Sequence, residues 1–509
     1  MMSSDPREPI HKLATGIPGF DSIARGGVPA GRTTLVAGTP GSAKTVFAGQ
    51  FLAAGITDEH TPGVFVTCQE SPADLRRNLR AFGWPVDEWE AEGWWTFVDA
   101  SPDIDHAPEE AGEYDLGGLI ARIFGTMRET GSTRLAIDSL GAMFSRFPEA
   151  RQVRWDLFRI AGHMKRLGVT TVMTAEREAE YGSVARHGVE EFVADNVVIL
   201  RNNIPEAETR RRTVEILKFR GTNHQKGEYP FTILPDGGLV VIPLSAMELT
   251  QRSSELRITS GNDTLDTMCG GGFYRDSIVL ASGATGTGKT LMATEFIAGG
   301  LAAGERCLLF AFEERRDQLI RNARGWDVQY EPAEARGDLQ IHCEYPESAG
   351  LEDHLVRIKK AIDTFRPHRI ALDSLTALER VATERGFREF VIGLTSFIKD
   401  RETAGLFTAS TPSLMGGSSV TEAHISTLTD SIILLRYVEM AGEVQRGLTV
   451  LKMRGAAHEK SIRQFHIDQE GMHIGERFSG IEGILEGHPN RTIHPPSAAG
   501  GHRRGERSP

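Results

Sequence analysis

The chain is short of several things, and each shortage removes a class of protein. It has four cysteines, Cys68, Cys269, Cys307 and Cys343, far apart and with no Cys-x-x-Cys pair. Such spacing gives neither a disulfide framework nor a zinc site, and it suits a reducing cytoplasm. No run of 18 apolar residues occurs, so no membrane span is expected. The first ten residues, MMSSDPREPI, lack the apolar stretch of a signal peptide. Positive charge is in the minority, 57 Lys and Arg against 69 Asp and Glu. The resulting net charge of −12 argues against wholesale nucleic-acid binding, which needs a cationic excess to neutralise phosphates. What remains is an ordinary globular composition, 40% apolar and 25% charged, in a chain too long for a single core.

The chain is written twice. LVAGTPGSAKT (35–45) resembles LASGATGTGKT (280–290), and LAIDSL (135–140) resembles IALDSL (370–375). DNVVILR (195–201) resembles DSIILLR (430–436), and ILKFRG (216–221) resembles VLKMRG (450–455). Lys289 follows Lys44 by 245 positions, Asp373 follows Asp138 by 235, and Arg454 follows Arg220 by 234. A near-constant offset with preserved order means a duplicated domain. The expected organisation is a first domain over 12–247 and a second over 248–487. The flanks 1–11 and 488–509 are expected to be disordered, the latter being rich in Pro, Gly and Arg. In each half, apolar β-branched runs such as TTLVAG, GVFVTC, RLAIDS and NVVILR alternate with amphipathic stretches such as DLRRNLRAFG. That alternation predicts an α/β fold, a mostly parallel twisted sheet with helices on both faces.

GATGTGKT (283–290) matches the phosphate-loop pattern G-x-x-x-x-G-K-[ST] in full, after a strand and before a helix. Gly286 and Gly288, with Thr285, Thr287 and Leu291, let backbone N–H groups converge on phosphate oxygens. Lys289 brings a point charge to the β- and γ-phosphates, and the Thr290 hydroxyl ligates Mg²⁺. The first copy, GTPGSAKT (38–45), supplies Gly41, Ser42, Lys44, Thr45 and Val46 but has Ala43 where the second has glycine. If residue 43 takes a negative φ the methyl is harmless; if φ is positive it costs about 1 kcal/mol.

Asp138 and Asp373 each end an apolar strand in Asp-Ser. They are the expected metal-side partners of Thr45 and Thr290 through water. After another strand come CQES (68–71) and FEER (312–315). Glu313 or Glu314 could orient and deprotonate a nucleophile beside the γ-phosphate, with Glu313 also on the metal side. In the first copy Gln69 stands at the first position, which leaves Glu70 as the base. LKFRG and LKMRG place Lys218 with Arg220, and Lys452 with Arg454, two apart. They are either solvated guards of a sheet edge or cations reaching a neighbouring subunit's γ-phosphate, which would call for a head-to-tail ring. TEAHISTLTD (421–430) crowds Thr421, Ser426, Thr427, Thr429 and the following Ser431 ahead of a core strand.

With GATGTGKT, the paired Glu, LKMRGAAHEK and TEAHISTLTDSIILL, the chain resembles the KaiC family, the ATPases and autokinases of circadian clocks. YPESAGLEDHL (345–355), RHGVEEFV (186–193) and GEYPFTI (227–233) strengthen the resemblance, which runs from about residue 12 to 490. It implies two tandem RecA-like P-loop domains and a cytoplasmic homo-hexamer, or dodecamer, of stacked rings holding ATP and Mg²⁺ at subunit interfaces. The first ring would be the slow ATPase. The second would pass γ-phosphate across the interface to Ser426 and Thr427, with Glu313 as general base, and return it to ADP.

The resemblance also puts Lys452, Met453, Arg454 and Arg446 near the neighbour's phosphate and Trp326 near the adenine. Lys218, Phe219, Arg220, Thr222 and His224 fall on the matching segment of the first half. The acidic segment 103–115 falls where the family has a loop used by KaiB. The tail offers no counterpart of the segment that recruits KaiA, so a KaiA-independent member is expected. Two other readings are a RecA- or DnaB-like DNA-dependent ATPase, which the negative charge disfavours, and a nucleotide-gated scaffold without phosphotransfer.

Overall fold

The structure, a computed structural model, describes residues 10–101, 116–141, 150–185, 193–204, 210–243, 253–411, 425–440 and 442–479, with 481–482, 484 and 490–491 beyond them. The segment 103–115, Thr421, most of 186–193 and most of both expected disordered flanks lie outside the described residues. The chain divides into two compact units, Met1–Glu248 and Leu249–Pro509.

The main sheet of the first unit has nine strands among the described residues. They are β1 (Thr33–Gly38), β2 (Gly63–Thr67), β3 (Trp95–Asp99), β4 (Arg134–Asp138), β5 (Thr170–Glu176), β6 (Asn196–Asn203), β7 (Arg211–Phe219), β8 (Glu228–Leu234) and β9 (Gly238–Val241). The sheet order is β9-β8-β7-β6-β1-β5-β4-β2-β3. Strands β1 to β6 run parallel, and β7 to β9 add an antiparallel extension.

The main sheet of the second unit repeats the plan. Its strands are β10 (Ile278–Gly283), β11 (Cys307–Ala311), β12 (Leu339–Cys343), β13 (Arg369–Asp373), β14 (Ala404–Ser410), β15 (Ser431–Met440), β16 (Glu443–Met453), β17 (Arg463–Asp468) and β18 (Gly471–Arg477). Their order is β12-β11-β13-β14-β10-β15-β16-β17-β18, the same topology.

Central strands are buried on both faces, so they read as unbroken apolar runs rather than alternating ones. Along β1, Leu35 joins the core on one side of the sheet with Leu135 and Ile137, while Val36 joins the other with Phe47 and Phe51. Those two phenylalanines belong to α1 (Lys44–Glu59), the helix that the phosphate loop opens. Its counterpart α2 (Lys289–Ala302) buries Phe296 and Ile297 in the second core. One detail departs from the strand expected at LKFRG and LKMRG: β7 stops at Phe219 and β16 at Met453, so Arg220 and Arg454 sit one residue beyond the strand ends.

Candidate nucleotide and phosphoacceptor sites

In the second unit the phosphate loop joins β10 to α2 at the carboxyl ends of the parallel strands, where open α/β sheets bind ligands. Gly288 takes a φ of 106° ahead of the helix. The loop borders a cavity of about 340 Å³ whose walls include Thr285, Gly286, Gly288, Lys289, Thr290, Leu291, Glu313, Glu314, Trp326 and Asp373. Thr287 is not on that wall; its buried hydroxyl turns back to the Ala284 carbonyl at 2.8 Å.

Lys289 is only 8% exposed and donates to the Ala284 carbonyl at 2.9 Å. Burial pulls its pKa down, and the carboxylates of Asp373 and Glu313 push it back up. Thr290 donates to Asp373 Oδ2 at 2.7 Å, and the Thr408 hydroxyl donates to the other carboxylate oxygen. A hydroxyl and a carboxylate held together are hard oxygen donors that suit Mg²⁺.

The two glutamates have different surroundings. Glu313 accepts from Arg380 at 2.7 Å and from the Ser374 hydroxyl at 3.2 Å. Glu314 accepts from Asn322 at 3.3 Å, and burial, then the nearby Asp373, raise its pKa.

The first unit builds a similar site with three changes. Lys44 donates to the Gly38 and Thr39 carbonyls at 3.0 and 2.9 Å, and Thr45 donates to Asp138 Oδ2 at 2.6 Å. Val46 is half-buried at the head of α1, packed against the core. Gly41 has a φ of 76°, and the hydroxyls of Ser42 and Ser139 are buried without a protein partner, as befits a site built for a polar ligand. The first change is Ala43, whose φ of 73° and ψ of 27° are left-handed. The backbone therefore takes the conformation in which the methyl is strained. The second is Gln69, which occupies the place of Glu313; Glu70 matches Glu314 instead and accepts from Asn78 at 3.1 Å, as Glu314 does from Asn322. The third is Glu176, the last residue of β5, where β14 ends in Ser410. Glu176 pairs in register with Gly38 and joins Asp138 in opposing the burial-driven fall of the Lys44 pKa.

The cationic segments hold carbonyls of their own chain. Lys452 Nζ donates to the carbonyls of Ser426 and Thr429 at 2.5 and 2.7 Å, and Arg454 donates to that of Thr427 at 2.7 Å. In the first unit Lys218 donates to the Ala194 carbonyl at 2.9 Å, and Arg220 lies 3.7 Å from Asp195. Thr222 is half-buried, and the His224 ring meets Phe219 edge-on. Arg446 lies over the Tyr437 ring, 5.8 Å from its centre. None of Ser426, Thr427, Arg446, Lys452, Met453 and Arg454 is on the wall of their own chain's cavity. Of the crowded hydroxyls, Thr429 and Ser431 are buried, Ser426 is half-buried and Thr427 is exposed.

Several residues of the site were not anticipated. Ser374 is adjacent to Asp373 and was visible in the repeated Asp-Ser pair, whereas Arg380, Ser410 and Ile467 carry no local signal.

The profile of the KaiC ATPase family matches residues 13–246 and again 258–479. The chain belongs to the KaiC family. Circadian clock protein KaiC3 of Synechocystis sp. (strain ATCC 27184 / PCC 6803 / Kazusa) is 62% identical over 483 residues, spanning 95% of each chain. Circadian clock oscillator protein KaiC of Thermostichus vulcanus is 55% identical over 482 residues, 95% of this chain and 92% of the relative. Circadian clock oscillator protein KaiC 1 of the same Synechocystis strain is 52% identical over 486 residues. As a KaiC ATPase the chain is an enzyme of two RecA-like repeats that uses ATP with Mg²⁺. No helix among the described residues is long and apolar enough to cross a membrane.

Proposed function

We propose that this KaiC ATPase phosphorylates itself between subunits, the second repeat of one chain passing the γ-phosphoryl group of ATP to Ser426 and Thr427 of the next. The chain is taken to form the hexameric ring that its KaiC resemblance implies, which brings such neighbours together. The observation that carries the reading is the grip of Lys452 and Arg454 on the carbonyls of Ser426, Thr427 and Thr429. It fixes the backbone of the acceptor dyad while the dyad's own cavity lies elsewhere, the arrangement a donor in the neighbouring chain requires.

Glu313 is the general base. Its carboxylate is kept in place by Arg380 and Ser374 and takes the acceptor hydroxyl's proton as that oxygen attacks phosphorus. The bond from phosphorus to the β–γ bridging oxygen breaks, and the electron pair leaves with ADP. Lys289 and the loop N–H groups hold the phosphates against this displacement. Thr290 and Asp373 would hold Mg²⁺, which supplies charge neutralisation on the phosphate oxygens. Glu314 is tied instead to Asn322 on the following helix, away from the Ser374 and Arg380 pair.

The first repeat binds ATP through Lys44, Thr45 and Asp138 and turns it over slowly, because Gln69 can orient water but takes no proton from it. Each phosphate adds about −1.5 to −2 charge to a subunit boundary, so phosphorylation state biases ring packing and serves as the timing signal. The reading includes a KaiB-like partner at 103–115 and turnover independent of KaiA.

Intact mass after incubation with ATP and Mg²⁺ tests the proposal. Wild type should gain one or two phosphates on Ser426 and Thr427, and Glu313→Gln should gain none. A wild-type chain that forms rings and stays unmodified would remove the autokinase reading.

A further inference from the structure

The hairpin of β17 and β18 has two chemically different faces. Its register sets Ile467 opposite Met472 and His466 opposite His473. The inner face is apolar and supports the nucleotide cavity. Ile467 lines that cavity, and a methyl built on Gly288 would meet Ile467 Cδ1 at 2.8 Å and Met472 Cε at 3.4 Å. The outer face carries His466, Asp468 and His473, with side chains 70%, 48% and 39% exposed. The two imidazole rings stack with centres 4.9 Å apart and planes inclined by 18°. Asp468 Oδ1 lies 2.9 Å from His473 Nε2, and Oδ2 lies 3.8 Å from His466 Nε2. One donor atom from each residue can be chosen so that all three fall within 4.8 Å of one another.

We propose that His466, Asp468 and His473 form a binding site for a divalent transition cation of the zinc class. Two imidazole nitrogens and one carboxylate are a borderline donor set, suited to Zn²⁺, Co²⁺, Ni²⁺ or Cu²⁺, whereas Mg²⁺ and Ca²⁺ prefer oxygen alone. Zinc takes such ligands at about 2.0–2.2 Å, which sets tetrahedral donors about 3.3 Å apart. Side-chain rotation closes the remaining gap while the strand beneath stays pinned. The Met472 N–H donates to Glu295 Oε1 at 2.6 Å, and the Asn262 side chain donates to the Met472 carbonyl at 2.7 Å. Three protein ligands leave the fourth position to water. The first repeat provides an internal control. At the same register its β8–β9 hairpin sets Thr232 opposite Val240, neither of them a ligand for such an ion.

A bound ion ties β17 to β18 across the turn, directly behind Ile467 and Met472, whose side chains fill the space a methyl on Gly288 would enter. Occupancy therefore stiffens one wall of the nucleotide cavity and couples to ATP affinity, and the coupling is reciprocal.

The test is calorimetric titration of Zn²⁺ into the tag-free, nucleotide-loaded assembly in excess Mg²⁺, beside His466→Ala/His473→Ala. Wild type should take up one more Zn²⁺ per chain than the double variant, with micromolar affinity. Co²⁺ should give wild type the visible band of a tetrahedral site that the double variant lacks. Without added Zn²⁺ the two proteins should assemble and hydrolyse ATP alike. Equal Zn²⁺ uptake by both proteins overturns the site. ATP affinity in wild type should shift by about fivefold with Zn²⁺, and an unchanged affinity with the site filled overturns the coupling.

Discussion

Ala43 and Gly288 hold the same place at the head of their phosphate-loop helices, and both have positive φ, 73° and 106°. Only glycine takes that conformation without strain, so the first repeat carries a penalty that the second does not. Ala43→Gly should stabilise the first repeat by about 0.5–1 kcal/mol, the strain relieved less the entropy glycine adds to the unfolded chain. The reverse change, Gly288→Ala, adds contact with Ile467 to the same strain. It should cost about 2 kcal/mol and weaken ATP binding in the second repeat. Urea unfolding of both variants checks the pair, and equal effects of one sign would show that the methyl is not what separates the sites.

Gln69 stands where the second repeat has Glu313. In a chain whose second repeat is silenced by Glu313→Gln, adding Gln69→Glu should raise steady-state ATP hydrolysis by about tenfold or more, the gain expected from a positioned base. If the rate stays put, another group serves the first site. Glu70, and then Glu176 at the end of β5, are the residues to replace with Gln.

Lys452→Met should release the carbonyls of Ser426 and Thr429. Amide exchange over 425–430 should speed up, and phosphate gain at Ser426 and Thr427 should fall by about 100-fold. Loss of phosphorylation with unaltered exchange would mean that the lysine acts only on the neighbour's phosphate.

Glu295 is a pH-sensitive group of the second core. Burial raises its pKa from 4.5 to about 7 in spite of the Met472 N–H it accepts from. The folded chain therefore keeps a proton that the unfolded chain loses above pH 4.5. Its stabilising contribution is complete below that pH and disappears as pH rises through 7, by about 3 kcal/mol. Glu295→Gln should flatten the melting temperature between pH 5 and 8 and raise it at pH 8. An unchanged profile would assign the pH dependence to another group.

Much of the architecture was legible because its signals are local or duplicated. Lys289, Thr290 and the strand before them are contiguous, and Asp373 announces itself by recurring as Asp138. What stayed hidden depends on the folded chain. The φ of Ala43 is a backbone fact that no side-chain pattern encodes. Arg380 reaches Glu313 from a different connection, and Ile467 approaches the phosphate loop from a strand far along the chain. The hydroxyl cluster looked uniform in sequence, yet Thr429 and Ser431 point into the core while Thr427 faces solvent.

Under the proposed phosphotransfer, the grip of Lys452 and Arg454 on residues 426–429 has a consequence for memory. A phosphate added at Thr427 would arrive on a residue whose carbonyl Arg454 already holds, so the mark would be written near a counter-charge. Such a record is electrostatically sheltered, and it should fade faster in concentrated salt than in dilute buffer.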